Sequence, residues 1–119
     1  MSDMTIIDEE DLIETIADAL QYISYYHPID YIEALGEAYH AEQGPAAKDA
    51  IAQILTNSRM CAEGHRPICQ DTGIVNVFMK WGQNCTLRSK KSLYEVVDEG
   101  VRRAYNNPEN KLRASILAD

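Results

Sequence analysis

Long uninterrupted apolar runs are missing from this chain of 119 residues. Its apolar stretches are short and broken by charges, which excludes a membrane-spanning helix. The opening Met1-Ser2-Asp3-Met4 is not basic and leads into no apolar segment with a cleavage site, so a secretory leader is not visible and a cytoplasmic location is expected. Cysteine is scarce: Cys61, Cys69 and Cys85 are odd in number, which argues against a disulfide framework. No two of them form a CxxC pair, which removes a local zinc knuckle or dithiol redox motif. Positive charge is also scarce. Eleven Lys and Arg against nineteen Asp and Glu leave a net charge of -8, and the bases are scattered. Counterion release needs clustered cations, so nucleic acid is not an expected partner. An anionic ligand has to be held by a few local cations against the overall field. Internal repeats and low-complexity tracts are missing too. What remains, 45% hydrophobic and 25% charged, is one domain's worth of ordinary globular chain.

The first half has helical periodicity. From Asp8 to Tyr26 the residues Leu12, Ile13, Ile16, Leu20 and Ile23 recur at three- and four-residue steps. The acidic start Asp8-Glu9-Glu10-Asp11 suits the positive end of a helix dipole. Pro28 breaks this helix and opens a second, to about Glu42, with Ile32, Leu35 and Tyr39 on one side. After the Gly44-Pro45 turn, Ala47, Ala50, Ile51, Ile54, Leu55 and Ser58 share a face of a third helix, with Gly64 as its expected stop.

Beyond Gly64 the period changes to two. Ile74 to Trp81 alternates, predicting a mostly buried strand; Gly82-Gln83-Asn84 is a turn, and Cys85 to Arg88 is expected to return as its hairpin partner. Ser92-Leu93-Tyr94-Glu95 matches the capping box that opens a helix to about Tyr105. Gly100 inside that helix costs roughly 1 kcal/mol against alanine, so it marks close packing against another element. The expected class is α+β: a bundle of about three N-terminal helices, a β-hairpin and a further helix, belonging to a larger mixed α/β domain. The partly apolar end, Leu112 to Asp119, carries no cap or solubilising tail, and residues 1–119 are expected to be the N-terminal part of a longer polypeptide.

Chemistry concentrates in one loop. Pro67 stiffens its approach and Gly73 permits a close backbone contact. Between them Cys69, Gln70, Asp71 and Thr72 place a soft metal ligand, an amide, a carboxylate and a hydroxyl side by side. A plain connection needs no such density, and connecting loops commonly carry function.

The segment Arg66-Pro67-Ile68-Cys69-Gln70-Asp71-Thr72-Gly73 resembles the signature of class I fumarate hydratases, the iron–sulfur hydro-lyases. The resemblance extends upstream through Asn57-Ser58-Arg59-Met60 and Glu63-Gly64, and downstream through Asp98 to Tyr105 and Asn107 to Ser115. It covers nearly all of this chain but only the opening portion of that family's polypeptide. It implies a [4Fe–4S] cluster held by three thiolates, with one iron open to act as a Lewis acid on a small dicarboxylate substrate. By the same resemblance Cys69 is the first thiolate ligand. Gln70 and Asp71 meet the substrate, Asp71 as the catalytic group that transfers a proton or orients a hydroxyl, and Gln70 as a donor to carboxylate. Thr72 and Gly73 shape the loop. Arg113, in Leu112-Arg113-Ala114-Ser115, is a candidate clamp for a substrate carboxylate. The other two cluster cysteines fall beyond residue 119, so the chain alone is expected to be inactive, and the full-length protein is expected to be a homodimer.

The implied reaction is reversible hydration of fumarate to malate. Tartrate and mesaconate hydro-lyases are near relatives, and Gln70, where tartrate enzymes tend to carry a second acid, leans towards fumarate. Two readings from other classes stand beside it. One is a non-catalytic helical module docking a partner through its acidic surface. The other is a cysteine nucleophile, Cys69 activated by His65, although Asp71 beside the thiol would raise its pKa. Cys61 and Cys85 read as structural thiols, since free cysteine is among the most buried residue types. Arg102 and Arg103, late in a helix, read as structural too.

Overall fold

The computed structural model describes residues 3–69, 73–109 and 112. The described residues of Met1–Gln21 and Asp71–Asp119 form one compact unit, and those of Tyr22–Gln70 form another. The elements run β1 (Thr5–Asp8), α1 (Glu9–Tyr25), α2 (Ile29–Ala41), α3 (Pro45–Gly64), β2 (Cys85–Arg88) and α4 (Leu93–Asn106). The α+β class and the succession of three helices before a fourth are as expected. The boundary between the units falls inside α1, after Gln21.

In the first unit the strand pairing differs from expectation. β2 lies parallel to β1, with Thr5 opposite Cys85 and Asp8 opposite Arg88, so the predicted hairpin is replaced by a long-range parallel pair. Ile74–Trp81 has no regular secondary structure; only the preceding Gly73 is a bridge residue. It is also far from buried, with Phe78 96% exposed. Alternation reports which faces a segment would present; a strand additionally needs a partner for its backbone groups. The turn that follows is as expected: the Cys85 N–H donates to Gly82 O at 3.1 Å, and the Trp81 indole N–H donates to Cys85 O at 2.9 Å. The Asp8–Arg88 ion pair joins the last register position at 3.2 Å. It is exposed and contributes little.

α4 opens on Ser92, whose hydroxyl accepts from the Glu95 N–H at 3.2 Å, as its capping box predicts. Its buried residues Val96, Gly100 and Ala104 are spaced by four, one narrow stripe of small side chains. That stripe packs on α1. A Cβ on Gly100 would lie 2.7 Å from Ile16 Cγ2 and 3.1 Å from the carbonyl oxygen of Ile13, which is itself 1% exposed. The glycine is there because the helices approach too closely for a side chain.

Charges close the edge of this contact. Arg102 holds Glu99 by two bonds, Nη2 to Oε1 at 2.6 Å and Nε to Oε2 at 2.7 Å. Arg103 donates to Glu99 at 3.1 Å and to Glu10 of α1. Arg102 and Arg103 are thus structural, as expected. Hydrogen bonding from Arg102, then from Arg103, holds the Glu99 carboxyl at about 2, below its ordinary 4.5. Glu10 is lowered as well, first by its bond from Arg103. A depressed native pKa gives stability that is complete above the unfolded value and lost as pH falls through the native one. Urea midpoints should therefore decline from pH 4.5 towards about 2, and Glu99→Gln should flatten that decline. Equal slopes for the two proteins would show that Glu99 does not contribute.

In the second unit α2 packs on α3. Pro28 caps α2, and Pro45 occupies the first turn of α3, where its missing N–H costs nothing. The Lys48 ammonium sits 4.5 Å from the centre of the Tyr39 ring. Ser58 and Cys61 are the buried residues of α3, and the Ser58 hydroxyl is hydrogen-bonded to His27 Nδ1 at 2.9 Å.

Candidate functional site

The approach to Cys69 is built where α3 ends. His65, not Gly64, takes the left-handed conformation that stops the helix, at φ 50° and ψ 56°. Its N–H and that of Arg66 both donate to Cys61 O. A left-handed backbone costs an L-residue about 1–2 kcal/mol, and here the ring is held in return. It stacks on Tyr25, with centroids 5.6 Å apart and planes 5° apart, and its Nε2 is hydrogen-bonded to the Tyr26 hydroxyl at 2.9 Å. That nitrogen is therefore committed to Tyr26, which weakens the reading of His65 as the activating base of a Cys69 nucleophile.

The next residues are stitched to their surroundings. The buried Cys61 thiol has two acceptors in reach of its one S–H, Pro67 O at 3.4 Å and Asn57 Oδ1 at 3.7 Å. The Asn57 amide donates to Ile68 O at 2.8 Å, and the Ile68 N–H donates to Ser24 O near the end of α1 at 2.9 Å. Cys69 follows with an exposed, free thiol. A soft ligand is thus presented outward from a stretch whose preceding carbonyls are each anchored.

Cys69 has the exposure and free thiol that a cluster ligand needs. Cys61 does not, being buried and engaged as a donor, and Cys85 is half-buried in β2. Both agree with the structural role expected of them. Among the described residues no three His, Cys, Asp or Glu side chains gather to hold a metal. Their donor set fits one thiolate of a cluster site, not the whole site. Gln70, Asp71 and Arg113 lie outside the described residues. An open cleft of about 310 Å³ runs along α3, lined by Asp49, Ala52, Gln53, Thr56, Asn57 and Met60. It contains a carboxylate and no cation, the wrong charge for a dicarboxylate.

Sequence reasoning missed Ser24 and Asn57. Ser24 acts through its backbone carbonyl, which no residue type announces. Asn57 stands within the recognised lead-in, but an asparagine on a helix surface has no distinguishing chemistry.

A family model described as fumarate hydratase (Fumerase) matches residues 13–119. The chain belongs to this family. It is similar to a protein of Methanocaldococcus jannaschii named putative L(+)-tartrate dehydratase subunit alpha, 32% identical over 104 residues. That match takes in 87% of this chain and 36% of the relative, so the chain spans about a third of the length of the protein it resembles.

Proposed function

We propose that this chain is the N-terminal region of an iron–sulfur hydro-lyase that reversibly hydrates fumarate to malate. The observation that carries the reading is the exposed Cys69 thiol on an anchored stretch of the family's signature loop. A [4Fe–4S] cluster held by three thiolates would supply an open iron, a Lewis acid towards a substrate carboxylate and hydroxyl. Cys69 would give one thiolate, and two further cysteines would come from the rest of the polypeptide. Gln70 would donate a hydrogen bond to a substrate carboxylate, and Arg113 would clamp one as a bidentate cation. Asp71 would carry the proton for one carbon or orient the hydroxyl bound for the other. The complete protein would act as a cytoplasmic homodimer, and the 119-residue chain alone would be inactive.

A second reading, dehydration of tartrate, is favoured by the name of the archaeal relative. One experiment decides both. The complete protein is reconstituted anaerobically with iron and sulfide, then assayed with fumarate, mesaconate and L(+)-tartrate. A coloured protein that converts fumarate fastest is expected. Fastest turnover of tartrate would transfer the assignment to the second reading, and a colourless protein would end the cluster hypothesis.

A further inference from the structure

The two backbone groups of Ile68 are both committed. Its N–H is held by Ser24 O, and its carbonyl accepts from the Asn57 amide. The Ile68 carbonyl belongs to the same rigid peptide plane as the Cys69 nitrogen. Fixing that oxygen therefore fixes the plane from which the Cys69 side chain departs, leaving the Cys69 φ and its side-chain rotamer to place the sulfur. The Asn57 Oδ1 in turn lies 3.7 Å from the Cys61 thiol, whose one S–H it shares as acceptor with Pro67 O. The exposed Cys69 thiol thus rests on a clip formed by two residues one turn apart on α3.

We infer that Asn57 is a positioning residue for Cys69, setting the orientation of the peptide plane that presents the thiolate to a cluster. This rests on Cys69 being a cluster ligand, as proposed above. Supporting partners that orient a metal ligand commonly change affinity or activity by about 10–100-fold when lost. Asn57→Asp is the informative change: it keeps the shape and the acceptor facing Cys61 but replaces the donor facing Ile68 O with an oxygen. Asn57→Gln keeps an amide donor on a longer arm.

The test uses the complete protein and two readouts. In the apo form, deuterium uptake at the Ile68 amide should be up to roughly tenfold faster in Asn57→Asp, as loss of one hydrogen bond's net contribution implies, with Asn57→Gln in between. In the reconstituted form, the visible absorbance should bleach faster under a chelator in Asn57→Asp. The electron paramagnetic resonance spectrum of the reduced cluster should also shift or broaden, a change that a mere loss of stability does not produce. Unchanged deuterium uptake would overturn the clip whatever the cluster does. A wild-type protein that holds a cluster, with Asn57→Asp indistinguishable from it in bleaching and spectrum, would overturn the positioning role alone. A wild-type protein that holds no cluster would remove the ligand reading, and the positioning role with it.

Discussion

Cys69→Ser in the complete, reconstituted protein is expected to lower hydratase activity by more than about a hundredfold, beyond the range seen when only a supporting partner of a metal ligand is lost. Serine matches the thiol in shape, and Cys69 is exposed, so the fold has little reason to respond. A hydroxyl is a poor substitute for the soft thiolate that iron–sulfur clusters select, so cluster content should fall along with activity. The melting temperature of the apo protein should stay at its wild-type value, which separates ligand loss from misfolding. Cys85→Ser, in β2, should leave the cluster in place. Activity and iron content both retained in Cys69→Ser would remove this residue from the site.

Gly100→Ala is expected to destabilise the chain even though alanine is the better helix former. Helix propensity alone favours the change by roughly 1 kcal/mol. Against it, the new Cβ would sit 2.7 Å from Ile16 Cγ2, 2.8 Å from Ile16 Cβ and 3.1 Å from the Ile13 carbonyl oxygen. None of these is the far end of a flexible side chain, so relief requires α1 and α4 to move apart. Overpacking of this kind costs about 1–3 kcal/mol, and separating the helices also loosens the contact that buries Ile13 and Val96. The melting temperature should fall by several degrees, since about 1 kcal/mol corresponds to roughly 4–8 °C in a domain approaching this size. Gly100→Leu should abolish cooperative melting of this unit. An alanine variant melting at or above wild type would show that α1 and α4 do not approach as described.

The helices and their ends were legible in the sequence because their causes are local. The three- and four-residue spacing of Leu12, Ile13, Ile16 and Leu20 follows the inward side of α1, where Ile13 is buried, but Ile23 of the same spacing is exposed, since periodicity does not tell where the covering element ends. Pro28, Pro45 and Ser92 mark helix starts through their own backbone and side-chain chemistry. Gly100 was legible for the same reason: a residue that weakens a helix from within has to be repaid by packing. The strands were not. Thr5–Asp8 is too short to show a period, and its partner lies some eighty residues away at Cys85–Arg88. Ile74–Trp81 shows the period and has no partner along its length among the described residues.

The same division runs through the site. Family membership and the candidacy of Cys69 were legible in the sequence itself, because a motif is a run of residue types. What supports that thiol was decided only by the tertiary structure. Cys61 and Cys69 are the same residue type eight positions apart, yet one is buried and donates to Pro67 O while the other is free and exposed. Asn57 and Ser24 reach Ile68 through a side-chain amide and a backbone carbonyl, groups that acquire a role only when folding brings α1, α3 and the Cys69 stretch together. Hydrogen bonds depend on position and direction, and a linear sequence records neither.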